Sequence, residues 1–94
     1  MPVFAPSWNL DVAGARRLEE EITPLEGAVV IDLSGVAFVA SSGLRVLLKQ
    51  AQRLKGQGGE LRVCGADKTV AEVFVMSGFD SIIAIDEQCA DGSG

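Results

Sequence analysis

Any chemistry in this 94-residue chain must proceed without an imidazole, because the sequence has no histidine. That excludes Ser-His-Asp and Cys-His activation of a nucleophile, the usual facial iron site and every zinc site that needs a histidine ligand. Two cysteines cannot complete a four-thiolate site either, so neither a metal nor a cofactor is expected. What remains is hydroxyl and carboxylate chemistry. The most accessible hydroxyls are Ser41 and Ser42, set between the small residues Ala40 and Gly43. On local chemistry alone a serine here is explained as a helix N-cap, whose Oγ accepts an orphan amide for about 1 kcal/mol. Neither serine has a base within the chain, so any reaction on them must be carried out by another protein. Phosphorylation suits the position. It adds about −1.5 to −2 charges and three acceptor oxygens where a helix N-terminus offers free amides and the positive end of its dipole. A small uncharged docking patch then becomes a bulky anion that a partner must desolvate, which is the outline of a binding switch.

The carboxylates point to structure first. Glu19, Glu20 and Glu21 are consecutive, so they radiate around a helix as a solvated face. Asp32 ends an apolar run at the place where α/β sheets carry functional loops. It is equally placed to accept from the amides of the Ser34-Gly35 turn, and that structural role is favoured. Gly56-Gln57-Gly58-Gly59 comes after a helix pattern and before a strand pattern, the reverse of a phosphate-cradling loop, and reads as a C-cap and turn. No paired groups converge for acid-base work, so no catalytic residue and no enzyme activity are expected.

The elements that must position these residues alternate between strand and helix patterns, which predicts an α/β fold. Val12, Ala15, Leu18 and Ile22 form one helical stripe, with Asp11 as N-cap and Pro24 past the end. Ala28 to Leu33 reads as a central strand. Leu44, Leu47, Leu48, Ala51 and Leu54 share a second helical face, with Arg45, Lys49, Gln52, Arg53 and Lys55 mostly outward. Glu60 to Cys64 reads as a strand. Asp67 caps a third helix from about Lys68 to Met76, with Val70, Val73, Phe74 and Ser77 inward and Gly78 closing it. Ser81 to Ile85 reads as a last strand, and Val3-Phe4-Ala5 as a short first one with Trp8 covering the core.

Composition narrows the function. A chain this short builds one core, so a single domain is expected over 1–94, with its core at about 10–85 and an acidic mobile tail at 86–94. A net charge of −5 and a pI near 4.5 disfavour nonspecific binding to nucleic acid and to anionic membranes. Met1 to Pro6 carries no basic leader, and no apolar run approaches the roughly 18 residues of a membrane span. Cys64, in an apolar strand pattern and distant in sequence from Cys89, reads as a buried free thiol. A reduced, soluble, cytoplasmic chain without membrane insertion is expected.

Four blocks together resemble the STAS domains, and among them the bacterial anti-sigma-factor antagonists. They are Val30-Ile31-Asp32-Leu33-Ser34-Gly35-Val36, Ser41-Ser42-Gly43-Leu44-Arg45-Val46-Leu47, Gly58-Gly59-Glu60-Leu61 leading to Val63-Cys64-Gly65, and Val73 to Phe79. In order and spacing they cover about Leu10 to Ile85. The resemblance implies a small mixed β-sheet with helices packed on it. It also implies a protein whose unmodified form binds an anti-sigma factor that is itself a serine kinase of the histidine-kinase-like ATPase fold. Phosphorylation breaks that complex and a serine phosphatase restores it; a homodimer is compatible with the pattern.

Aligned on Gly43 and Leu44, the family's modified serine falls on Ser41, with Ser42 as the alternative. Asp11 matches an acid kept beside the phosphorylated loop, and Asp32 the aspartate of the Asp-Leu-Ser block. The implied partner surface comprises Asp11, Asp32, Ala40, Ser41, Ser42, Gly43 and Arg45. Two departures stand out. Ala40 occupies a position where many switch-competent members carry aspartate. Only ten residues precede Asp11, so the N-terminal strand region is shortened and its edge is either short or paired with another chain. These departures motivate a second reading, a constitutive STAS subunit of a lipid-transport ATPase, a chemosensory array or a stressosome-like complex.

Overall fold

Uninterrupted β-branched residues form a strand that is paired on both sides. In the computed structural model, which describes residues 3–86, β1 (Val3–Phe4), β2 (Ala28–Asp32), β3 (Glu60–Cys64) and β4 (Ala84–Asp86) lie side by side in that order. Every described strand pair is parallel, with Val3 opposite Val30, Val29 opposite Leu61 and Val63 opposite Ile85. Successive parallel strands need a crossover, and three helices supply it: α1 (Val12–Ile22), α2 (Ser41–Gly56) and α3 (Lys68–Met76). The α/β class agrees with the sequence reading. Among the described residues β1 pairs with Val30 and Ile31 of β2.

Helix boundaries follow the caps. Asp11 Oδ1 accepts from Gly14 N at 2.8 Å and Asp67 Oδ1 from Val70 N at 2.9 Å, starting α1 and α3 where the sequence predicts. α1 buries Ala15, Leu18 and Ile22. Val12, expected in the same stripe, is 73% exposed, although Gly14 and Ala15 in the same first turn are buried. α2 buries Leu47, Ala51 and Leu54 and packs against α1 and β3, with Leu44 and Leu48 partly covered. On α3 Val70 and Phe74 are buried, Val73 is partly so, and Ser77 is exposed as the C-cap, its Oγ donating to Phe74 O.

Two polar side chains of α2, Gln50 and Arg53, turn inward, the second of them expected from sequence to point mostly outward. Gln50, on α2, is 2% exposed, and its Oε1 accepts from Arg53 Nε at 2.6 Å. The Arg53 guanidinium goes on to donate to Ile22 O at 3.2 Å and Leu25 O at 3.0 Å. α1 has no basic residue in its own last turn, so Arg53 reaches over from α2 to satisfy its terminal carbonyls.

The last strand is shorter and later than expected. Gly78 ends α3 in the left-handed region (φ +74°), and a 3-10 turn follows at Phe79–Ser81. Phe79 O accepts from both Ile82 N and Ile83 N, and the ring of Phe79 stacks on Phe74 with centroids 5.2 Å apart. Burial at Phe79 and Ile83 therefore follows helical spacing, and β4 begins only at Ala84. Asp86, assigned to the tail in the sequence reading, belongs to β4 and pairs with Arg62 at 3.1 Å. The rest of the expected tail lies outside the described residues. Cys64 is buried but is disulfide-bonded, which corrects the expectation of a free thiol, since separation along a chain does not measure separation in space. Cys89, the other cysteine, lies outside the described residues.

One close approach fixes where α2 begins. A Cβ at Gly43 would stand 2.8 Å from Leu10 Cβ and 2.9 Å from Leu10 O, so only glycine lets this turn seat on Leu10. For Gly43→Ala, a helix-propensity gain of up to about 1 kcal/mol opposes an overpacking cost of roughly 1–3 kcal/mol. Denaturant unfolding should show a net loss of about 1 kcal/mol. Arg53→Ala strands the Leu25 carbonyl and the Gln50 oxygen, while Ile22 O keeps its bond from Leu25 N, and a loss of about 1–3 kcal/mol is expected. Arg53→Lys should recover less than half of it, because an ammonium cannot fork to three acceptors.

Candidate functional site

Parallel strands deliver their connecting loops to one edge of the sheet, so the segments before α1, α2 and α3 all follow the C-terminal end of a strand. Two of these helices are capped by aspartate. The third, α2, is capped by Ala40 (φ −83°, ψ 169°), which has no side-chain acceptor. This corrects the expectation that a serine hydroxyl caps the helix: Ser41 is already its first helical residue. Leu44 N donates to Ala40 O as the first intrahelical bond, which leaves the amides of Ser41, Ser42 and Gly43 as orphans of the first turn. Ser41 is exposed and its hydroxyl makes no hydrogen bond among the described residues. The Ser42 hydroxyl oxygen is buried, also without a partner among the described residues, so the two serines are not equivalent. Ser41 is the one an external enzyme can reach.

The loop that presents Ser41 is held at several points. Leu33, Val36 and Val39 are buried, Leu33 N donates to Cys64 O, and Val36 N closes a turn onto Leu33 O. Asp32 Oδ1 accepts from Ser34 N at 2.9 Å, the turn-stabilising role favoured from sequence. Asn9 Oδ1 accepts from Ala37 N at 2.9 Å. Leu10 then bridges in parallel to Val39: its N–H donates to Phe38 O at 2.9 Å and its carbonyl accepts from Ala40 N at 2.8 Å. One residue farther along both segments, Asp11 comes level with Ala40, beside Ser41.

Of the residues singled out from sequence, the bridge thus brings Asp11, Ala40 and Ser41 together, with Asp11 and Ser41 both exposed. Arg45 is exposed one turn along α2 at i+4 from Ser41, on the same helical face, and makes no ion pair among the described residues. Gly43 is buried and acts as a spacer against Leu10. Asp32 is half-buried, with one oxygen engaged in its own turn. Asn9 and Phe38 were missed. Their signal was present in the two-residue alternation of Asn9-Leu10-Asp11 and Phe38-Val39-Ala40, which sets Leu10 and Val39 inward and their neighbours outward.

Chemically, the arrangement offers an exposed hydroxyl on an uncapped helix N-terminus, with orphan amides at hand to hold an anion placed on it. Among the described residues no group of three or more His, Cys, Asp or Glu side chains could hold a metal ion. No described helix is long and apolar enough to cross a membrane.

Comparison with known proteins places this geometry. A Bordetella bronchiseptica protein named as the anti-sigma factor antagonist BtrV is 40% identical over 77 residues, covering 78% of this chain and 66% of that protein. An anti-sigma F factor antagonist from Paenibacillus polymyxa is 35% identical over 57 residues, covering 61% of this chain and 49% of that protein. The matched part of the chain therefore spans from about half to just under two-thirds of the length of these relatives. The structure of the anti-sigma factor antagonist SpoIIAA in its unphosphorylated form superimposes with a TM-score of 0.80 over 97% of this chain and 81% of that one. At 18% identity that likeness speaks to the fold alone. The model of the STAS domain matches residues 1–92, essentially the whole sequence, and the chain accordingly belongs to the STAS domain family.

Proposed function

We propose that this chain is an anti-sigma-factor antagonist, a binding module that sequesters an anti-sigma factor with serine-kinase activity and is released by phosphorylation at Ser41. The observation that carries the reading is the exposed Ser41 hydroxyl on the uncapped N-terminus of α2, beside Asp11. The names of the two relatives agree with it. The chain performs no catalysis of its own in this reading, and a serine phosphatase resets the switch. The complex forms in the cytoplasm and affects transcription through a protein, not through DNA. That location requires the Cys64 bond to be open in the cell, where thiols are kept reduced.

Ala40 fits this role on physical grounds. An aspartate cap would compete with a phosphate for the same amides and add a like charge beside it; alanine does neither. The first turn is therefore left entirely to the modified side chain.

The direct test is incubation with a purified anti-sigma factor of the kinase class and ATP, followed by mass spectrometry. Phosphate is expected on Ser41, none in Ser41→Ala, and no complex with Ser41→Glu. Failure of Ser41 to be modified, with binding indifferent to both substitutions, overturns the switch. Ser41→Glu should separate binding from stability. A carboxylate in the first helical turn contributes about 0.3–1 kcal/mol and its i,i+4 pairing with Arg45 about 0.2–0.5 kcal/mol, opposed by the nearby Asp11. The free variant should melt at or slightly above the wild-type temperature while losing its partner.

A further inference from the structure

Among the described residues six large apolar side chains are more than half exposed, and two of them, Phe38 (54%) and Val12 (73%), flank the segment that carries Ser41. Phe38 is three residues before Ser41 and Val12 directly follows Asp11. Both stand on backbone that Leu10 ties together, through Leu10 N to Phe38 O and Ala40 N to Leu10 O. Neither is needed by the core, which is built from the alternate positions Leu10 and Val39. An aromatic ring left half in water three residues from an exposed hydroxyl has a different use.

We infer that Phe38, supported by Val12, is the apolar anchor by which the kinase-type anti-sigma factor grips this surface, inserting into an apolar pocket of that partner. The inference rests on the functional reading above. The occupant follows from continuity: whatever transfers a phosphoryl group to Ser41 must enclose that hydroxyl, and Phe38 lies on the same hydrogen-bonded loop. The loop is preorganised, since Asn9, Leu10 and Asp32 all bind its backbone, so docking the ring costs little ordering entropy. A buried aromatic anchor surrounded by polar groups is also the usual composition of an interface hot spot.

An apolar anchor complements the switch. Asp11, Asp32 and Arg45 make no ion pair among the described residues, so the patch carries no excess of positive charge, and a nucleotide-bearing partner brings negative charge of its own. A group that carries no charge adds affinity without repelling that partner. Phe38 supplies it in the unmodified state, and a phosphate three residues away keeps the ring from reaching its pocket. Of the other four, Val75 and Met76 lie together on α3, a different element, and serve as a control.

The test is calorimetric titration of the full chain, as wild type, Phe38→Ser, Val12→Ser and Met76→Ser, with a purified anti-sigma factor of the kinase class. Each variant's melting temperature and phosphorylation kinetics are measured alongside. Phe38→Ser should weaken binding at least tenfold and raise KM with kcat little changed, the mark of lost uniform binding. Val12→Ser should weaken binding severalfold, and Met76→Ser should stay within twofold. Phe38→Leu should recover most of the affinity, which guards against reading a folding defect as a binding one. If the wild type binds and Phe38→Ser stays within twofold of it, the anchor is overturned and the switch survives. If the wild type does not bind any such factor, both readings fall together.

Discussion

The backbone of Leu10 is where the candidate site is assembled. Its N–H and C=O each bond to the loop after β2, its side chain is fully buried, and the first turn of α2 rests on it through the missing Cβ of Gly43. Buried amides and carbonyls must be paired, so once Leu10 is enclosed the segments on either side have little freedom in register. Asp11 then falls level with Ala40, and α1 and α2 start at neighbouring points. The glycine after the serine pair thus has a mechanical explanation: it is the residue that lets a helix carrying an exposed hydroxyl sit directly on another backbone.

Much of this was legible in the chain. The Asp11 and Asp67 caps, the limits of α3 and the whole of β3 follow from spacing and capping chemistry, because those signals are local. What escaped was set by contacts between distant segments. Arg53 looks like a surface residue on a helical wheel, and its inward turn depends on where the carbonyls of Ile22 and Leu25 come to lie. The segment from Phe79 to Ile83 resembles a strand by composition, yet the stacking of Phe79 on Phe74 decides its shape. Ser41 and Ser42 were both legible as accessible hydroxyls, but the place of Ser41 as first helical residue and not cap was not, since both assignments satisfy the same local sequence. The inequality of Ser41 and Ser42 is likewise tertiary: only the enclosure of the Ser42 hydroxyl distinguishes them.

Local order at this edge also bears on how one phosphate could govern a whole interface. The chain carries a net charge of −5, so two further negative charges change its total only moderately. At physiological ionic strength exposed charges are screened beyond about 8 Å, and long-range repulsion cannot account for release of a partner. The effect has to arise within contact distance, where an anion already bound to helix amides must be stripped of water to be buried. Such a penalty is felt fully only if the phosphate cannot swing aside. Ser41 sits in the first turn of a 16-residue helix whose start is seated on Leu10, so a phosphate placed on it would be held where the helix begins. Rigidity supplied by a hydrogen-bonded backbone and one glycine is what would let a local modification act as an all-or-none signal.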